Sequence, residues 1–405
     1  MKTGKKIFCR MNHKFINSLM PILPYRQPEI LENMLDVIRV LEKESIQSVL
    51  LVTDKGIRGL GLTAGLEQLL AEHQIACAVY DNTKANPTTA NVEEAKALYQ
   101  QNNCQALIAF GGGSSMDCAK GVGIRLVRPD TPMNKLEGLI KVGKDIPLLI
   151  AIPTTSGTGS EATLSAVITD AGTHHKYAIT DFHLFPRYAV LMPELTLGLP
   201  KQMTAFTGMD ALSHAVEAYI NKIRMPDCLA AAEEAVKLIF ENLEKVYEDG
   251  TDLEARKNMM RASYLAGVAL CKNFVGYIHA VSHPITAHYG VPHGLANAVL
   301  LPVGLRAYGE HVTVHLAKLA KAVSLVAADM EEKQAAEAII SHIEGMNRRM
   351  NIPTTLKEIR KEDISEMAMH AEKEANPIYP VPVLWDAKEL EKLYYLVYEE
   401  DYDGK

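Results

Sequence analysis

Apolar runs alternate with amphipathic segments along the first half of the chain. Five short, almost wholly apolar runs lie at residues 47–54, 75–81, 104–110, 146–153 and 187–193. Stretches with helical spacing, such as LTAGLEQLLAEHQ and NVEEAKALYQQN, separate the early runs. Apolar strands between amphipathic helices indicate a parallel sheet covered on both faces, with ligands beyond the carboxyl ends of its strands. We therefore expect an α/β, Rossmann-like domain over residues 1–199.

The pattern changes near residues 199–200. From KQMTAFTGMDALSHAVEAYI to DAKELEKLYYLVYEE, apolar positions follow helical spacing and strand-like runs are missing. This spacing is typical of packed amphipathic helices. The sequence thus predicts an all-helical second domain over residues 200–405.

Composition narrows the classes of function. The chain has 405 residues, is 48% hydrophobic and carries a net charge of −7, so no basic surface argues for nucleic acid. We find no run of about 18 apolar residues that would span a membrane. The six cysteines are dispersed without a C-x-x-C pair, which favours free thiols and a cytoplasmic location.

A glycine-rich turn follows the third apolar run, in LIAFGGGSSMDCAKGVG. Glycines there let a backbone approach a phosphate at the start of a helix. The dinucleotide pattern G-x-G-x-x-G fails at Met116, and the candidate acidic residue is Asp54, at the end of an earlier run. A plain β–α turn is the alternative. A second loop, IPTTSGTGSEAT at residues 152–163, offers hydroxyls for phosphate or ribose. The alternative is a connecting loop without a binding role.

Histidines and one aspartate form the chemical pattern of the second half. Asp210 and His214 are four residues apart, as are His279 and His283, and such pairs share one face of a helix. With His293 they offer nitrogen and oxygen ligands that suit Fe²⁺ or Zn²⁺ better than Mg²⁺ or Ca²⁺. Pro284 is expected to end or kink the segment. His288, in the same stretch, is expected to be a bystander.

Several motifs, in order along the chain, resemble the iron-containing (group III) alcohol dehydrogenase family. The matching stretches are VTDKG, NPT, GGGSSMDCAK, IPTTSGTGSE, TGMDALSHAVEAY, YIHAVSHP, PHGLANAVLLP and the late NP at residues 376–377. The resemblance implies a dehydroquinate synthase-like fold, in which an α/β domain precedes an all-α domain.

The resemblance also implies roles for individual residues. The metal ligands would be Asp210, His214, His279 and His293, and His283 would lie near the nicotinamide and substrate as the catalytic residue. Asp54 would read the adenosine ribose. The other expected cofactor-binding residues are Asn86, Gly112, Gly113, Ser114, Asp117, Thr154, Thr155, Thr158 and Lys176.

Two features depart from the family pattern. The family commonly continues its second histidine with Pro-Leu-Gly, whereas this chain reads Pro284-Ile285-Thr286 after His283. The substrate pocket beside His283 is therefore expected to differ in shape and polarity. The N-terminal segment at residues 8–28 is longer than the family core and is expected to form an edge strand or an interface arm.

The expected function is that of a metal-dependent alcohol dehydrogenase. It would transfer a hydride between a small alcohol or aldehyde and a nicotinamide cofactor, NAD rather than NADP because Asp54 would repel a 2′-phosphate. Fe²⁺ or Zn²⁺ would be the metal, and the protein would form a homodimer or a larger homo-oligomer. The alternatives are a zinc enzyme like glycerol dehydrogenase or dehydroquinate synthase, and a catalytically silent metal or nucleotide sensor.

Overall fold

The computed structural model describes residues 1–172 and 176–399. These residues divide into two compact units, Pro24–Gly198 and the combination of Met1–Leu23 with Leu199–Lys405. We expected the division at residues 199–200, and the structure has it between residues 198 and 199. The first 23 residues, however, belong to the helical unit and not to the α/β unit.

Strands lie between residues 29 and 190. They are β1 (Glu29–Leu31), β2 (Ser48–Val52), β3 (Ala76–Tyr80), β4 (Ala106–Gly111), β5 (Gly138–Leu139), β6 (Leu148–Pro153), β7 (Ser165–Thr169), β8 (Lys176–Thr180) and β9 (Tyr188–Val190). Six of them form a sheet in the order β1-β9-β6-β4-β2-β3, in which every pairing is parallel. The expected parallel sheet is confirmed.

The α/β unit holds five α-helices, α2 (Met34–Lys43), α3 (Lys55–Gly59), α4 (Ala64–Glu72), α5 (Thr89–Gln101) and α6 (Gly113–Val127). Alternate residues of each central strand pack into two separate cores. Leu50 and Leu107 join the core that includes α5 and α6 side chains, whereas Leu51 and Ile108 join the core that includes α2 and α4 side chains. Because both faces are covered, the strands are apolar throughout.

A small sheet in the order β5-β8-β7 was not foreseen in the sequence. Along β7 and β8 buried residues alternate with half-buried or exposed ones, so these strands lack the continuous apolar runs of the main sheet. β1 was also missed, because it has only three residues.

The second unit contains ten described α-helices, and the expected all-helical character is confirmed. They are α1 (Thr3–Leu19), α7 (Lys201–Ile220), α8 (Pro226–Glu248), α9 (Leu253–Asn273), α10 (Tyr277–Tyr289), α11 (His293–Tyr308), α12 (Thr313–Ala322), α13 (Glu332–Arg349), α14 (Ile364–Ala375) and α15 (Ala387–Val397). Pro284 was expected to end or kink this segment, and it does not end it, because α10 continues for five more residues.

Much of the N-terminal segment is a helix, so the expected edge strand within residues 8–28 is wrong, and the interface arm stays a prediction. Hydrogen bonds attach α1 to the late part of the chain. Arg10 donates to the carbonyl oxygens of Val381 (2.7 Å) and Pro382 (2.9 Å), and Asn12 donates to that of Pro377 (2.9 Å). These contacts explain why the first residues group with the helical unit.

No single described helix is long and apolar enough to cross a membrane. α9 and α10 meet that test only as a pair, and the pair is bent by 110°.

Candidate functional site

The glycine loop lies where β4 ends and α6 begins. Gly111 has φ +150°, a conformation that side chains disfavour, and Gly112 caps α6. A Cβ on Gly113 would lie 2.9 Å from the Thr158 side chain, and one on Gly112 would lie 3.5 Å from that of Thr155. The structure therefore brings the glycine loop and the second loop into close contact, with the backbone N–H groups that open α6 beside them.

Asp54 also lies at this edge of the sheet. One of its carboxylate oxygens caps α3 by accepting a hydrogen bond from the N–H of Ile57 (3.0 Å). The other would lie 3.8 Å from a Cβ on Gly111. Arg58, one turn along, pairs with Asp81 at 2.8 Å and with Glu67 at 3.5 Å. Arg58, one of the two basic residues that follow Asp54, is thus already bound to carboxylates.

Asn86 and Lys176 meet although they are far apart in sequence. Lys176 donates from Nζ to Oδ1 of Asn86 (2.8 Å), and Asn86 has φ +57°. Asp117, on α6, accepts a hydrogen bond from Ser160 Oγ (3.2 Å). Burial raises the pKa of Asp117 to about 6, against the opposing influence of Lys120 and Lys176.

Lys120 supports the second loop, a role that the sequence did not assign. Its ammonium group is fully buried and donates to the carbonyl oxygens of Ser160 (2.8 Å), Thr163 (3.0 Å) and Ser165 (2.9 Å). A buried charge is tolerated only with such partners. The only signal in the sequence is a lysine among the small and apolar residues of CAKGVG.

Four expected residues of the helical unit lie together. The ligand atoms of Asp210, His214, His279 and His293 all lie within 4.8 Å of one another. α7 supplies the first two, α10 supplies His279, and the first residue of α11 is His293. α11 begins this close to α7 because Gly294 has no side chain: a Cβ there would lie 2.2 Å from the carbonyl oxygen of Phe206.

Glu217 fixes one imidazole of the cluster. Its carboxylate accepts hydrogen bonds from His279 Nδ1 (2.5 Å) and from the N–H of Ile278 (2.9 Å). Since a carboxylate only accepts, Nδ1 of His279 carries a proton, and in the neutral ring Nε2 keeps its lone pair. A carboxylate behind a metal-binding histidine is common in metal sites. This role could not be predicted from the sequence, because glutamates are common in helices.

Asn297 is a second residue that the sequence did not single out. Its Nδ2 lies 2.7 Å from Asp210 Oδ1 and 3.1 Å from Nε2 of both His279 and His293. All three partners therefore point their lone pairs at one region. One carboxylate oxygen and three imidazole nitrogens form a donor set that fits Fe²⁺ or Zn²⁺, whose bonds of about 2.1 Å require a small inward movement.

His283 lies beside this cluster but is bound elsewhere. Its ring stacks on that of His293, with centroids 5.1 Å apart. Its Nδ1 bonds to Oε1 of Glu374 (2.7 Å), which also accepts from the hydroxyl of Tyr379 (2.8 Å). Burial alone would raise the pKa of Glu374, but His283 and Tyr379 hold it below its usual value. His288 is exposed and lies outside the cluster.

Glu161 gives the second loop a pH-dependent stability. It is 2% exposed, and burial raises its pKa to about 7 from an unfolded value of 4.5. Because the folded-state pKa is the higher one, the stability that this group contributes is complete below pH 4.5 and is lost as the pH rises towards 7. Glutamine keeps the shape and does not ionise.

We therefore compare the stability of Glu161→Gln with that of the unchanged protein. This stability difference should shift in favour of the variant by about 3 kcal/mol when the pH rises from 5 to 8. Urea unfolding at both pH values measures the difference, and Glu32→Gln, on the surface of the same unit, serves as the control. An equal effect at both pH values would show that burial does not raise the pKa of Glu161.

Comparisons with known proteins agree with this geometry. Residues 29–193 match the family described as iron-containing alcohol dehydrogenase, and residues 204–398 match the C-terminal domain of the same family. Alcohol dehydrogenase 4 of Schizosaccharomyces pombe is 36% identical over 346 residues, which cover 84% of this chain and 81% of that protein.

Two further proteins extend the likeness. The NAD-dependent methanol dehydrogenase of Bacillus methanolicus is 35% identical, over 82% of this chain and 87% of that protein. The crystal structure of a 1,3-propanediol oxidoreductase superposes with a TM-score of 0.88 at 33% identity, covering 92% of this chain and 98% of that one. The resemblance of the motifs is thereby confirmed, and the chain belongs to the iron-containing alcohol dehydrogenase family.

Proposed function

We propose that this metal-dependent alcohol dehydrogenase uses NAD(H) and a divalent metal, Fe²⁺ in the first place, to interconvert small alcohols and aldehydes. The observation that carries the proposal is the convergence of one carboxylate and three imidazoles within 4.8 Å. Relatives named for methanol and for 1,3-propanediol support a short substrate.

The metal ligands in this proposal are Asp210, His214, His279 and His293. A divalent metal supplies positive charge that stabilises an alkoxide and so eases loss of the alcohol proton. Glu217 holds the ring of His279 with Nε2 facing the other ligands. Nδ2 of Asn297 marks the point at which Asp210 and two of the imidazoles converge, and a metal there would take over their lone pairs. With four protein ligands, coordination positions remain for the substrate oxygen.

His283 acts in the same site without binding the metal. Because Nδ1 donates to the carboxylate of Glu374, Nε2 is left to accept a proton. The alcohol proton would pass to this nitrogen, directly or through water, and then to solvent. The half-exposed ring gives it access to solvent.

The α/β unit binds the cofactor, whose nicotinamide exchanges the hydride. The N–H groups that open α6, at Gly112, Gly113 and Ser114, hold the pyrophosphate. The other residues that we propose contact the cofactor are Asn86, Asp117, Thr154, Thr155, Thr158 and Lys176. Asp54 accepts hydrogen bonds from the adenosine ribose.

The proposal extends to cell location and assembly. All six cysteines are free, and five of them are buried, which supports a reducing compartment and hence the cytoplasm. We infer a homodimer or a larger homo-oligomer. Activity screening of short alcohols under anaerobic conditions, with NAD⁺ and NADP⁺ and after separate loading with Fe²⁺ and Zn²⁺, tests the whole proposal. Activity on glycerol alone, with zinc, would favour the glycerol dehydrogenase alternative.

His279→Ala and His283→Ala separate a metal ligand from a proton-transfer residue. We expect His279→Ala to lose most bound metal and nearly all activity. His283→Ala should keep the metal and lower kcat by about 10²-fold, the usual size of a general-base contribution. Metal content per chain and kcat measure both. Equal metal loss in the two variants would show that His283 is a ligand.

Glu217→Gln tests whether the carboxylate behind His279 matters for metal binding. The amide can no longer serve as a charged acceptor for Nδ1, so we expect metal affinity to fall by about 10–100-fold while the fold is retained. Competition with a chelator measures the affinity, and circular dichroism checks the fold. Glu233→Gln is the matched control, because Glu233 lies on α8 and accepts a hydrogen bond from the hydroxyl of Tyr219. Unchanged affinity in Glu217→Gln would remove Glu217 from the site.

Asp54→Gly tests cofactor choice. An ionised carboxylate at the ribose repels a 2′-phosphate, and Arg58 is occupied by Asp81 and Glu67. We therefore expect the unchanged enzyme to prefer NAD⁺ and the variant to lose that preference, by about tenfold or more in the ratio of kcat/KM values. A preference for NADP⁺ in the unchanged enzyme would contradict the role of Asp54.

A further inference from the structure

Glu374 is a carboxylate beside the metal-ligand cluster that the chemistry described so far uses only to hold His283. It lies on α14, in the last turn before Asn376-Pro377. Its side chain is 32% exposed, although both hydrogen bonds to it end on the same atom, Oε1. The carboxylate is thus anchored through one oxygen and remains accessible to solvent.

The exposed side of the cluster is formed by three groups. His293, His283 and Glu374 are 25%, 26% and 32% exposed, whereas Asp210 and His279 are 3% and 2% exposed. His283 links the other two, since it stacks on His293 and bonds to Glu374. A molecule that reaches the cluster from solvent therefore passes this edge, where Glu374 contributes a full negative charge.

Among the described partners, only imidazole rings could balance that charge. The carboxylates of Asp210, Glu217 and Glu374 bond to imidazoles, Asn297, Tyr379 and backbone N–H groups. None of these partners is a lysine or an arginine. While His283 is neutral, the three carboxylates exceed the charge of a divalent ion by one. The site with its metal is then net negative.

We propose that Glu374 is a specificity-determining residue, which excludes alcohols and aldehydes that carry a carboxylate, sulfonate or phosphate and admits uncharged ones. The inference rests on the proposed function, since it names the substrate class of the same site. An anionic group on a short substrate would lie within a few ångströms of the Glu374 carboxylate. Like charges at such distances in a partly buried site repel strongly.

A matched series of primary alcohols tests the charge alone. Propan-1-ol, propane-1,3-diol, 3-aminopropan-1-ol and 3-hydroxypropanoate share a three-carbon chain and differ at the far end. For the metal-loaded enzyme we expect kcat/KM to be lowest for 3-hydroxypropanoate. Glu374→Gln should raise the ratio of 3-hydroxypropanoate to propan-1-ol by about tenfold or more, and should lower the ratio of 3-aminopropan-1-ol to propan-1-ol.

Two variants serve as controls. Glu366→Gln removes the same charge from an exposed position on the same helix and should leave both ratios unchanged. Tyr379→Phe removes a donor to Glu374 but keeps the carboxylate, so the order of substrates should persist even if kcat falls. Metal content, measured for each variant, confirms that the site is intact.

The outcomes separate this inference from the proposed function. Unchanged ratios in Glu374→Gln, with metal bound and propan-1-ol still oxidised, would overturn the role of Glu374 and leave the proposed function standing. Equal changes in Glu366→Gln would show a general effect of net charge and would also overturn it. No oxidation of any alcohol by the unchanged, metal-loaded enzyme would instead reject the proposed function.

Discussion

One buried amide nitrogen fixes the centre of the helical unit. Nδ2 of Asn297 lies between Asp210, His279 and His293, which come from three different helices. Each of these partners presents a lone pair, and lone pairs directed at one point repel one another unless a donor or a cation lies between them. The two N–H groups of Asn297 can satisfy two of these three acceptors at a time. The same requirement, for positive charge at one point, makes the cluster fit for a metal.

The main sheet could be read from the sequence because its strands are buried on both faces. Leu50 and Leu51 pack into opposite cores, so neighbouring positions along β2 are equally apolar and the run is continuous. β7 was missed for the opposite reason, since only Ala166 and Ile168 of its residues are buried. The N-terminal helix was missed because its attachment depends on Arg10 and distant carbonyl groups, and a sequence pattern does not show such contacts.

The part of the candidate site that depends on local spacing could be predicted from the sequence. Asp210 and His214 share a helical face by their spacing, and family motifs add His279 and His293. Glu217 was hidden because an acidic residue in a helix is unremarkable until a distant imidazole is placed against it. Asn297 and Glu374 were hidden for the same reason, as their partners lie up to 91 residues away in the chain. Tertiary contact decides the roles of all three.

Buried charge is held differently in the second loop and in the ligand cluster. In the α/β unit the cation is part of the chain: Lys120 is enclosed by carbonyl and hydroxyl oxygens, so the second loop is held without any added group. In the ligand cluster the chain supplies carboxylates, which imidazoles, Asn297 and backbone N–H groups hold. A neutral amide provides partial charge, whereas a divalent ion provides full charge and shorter bonds. The geometry of the glycine loop and the second loop is therefore intrinsic to the fold, whereas that of the ligand cluster would tighten around a bound cation.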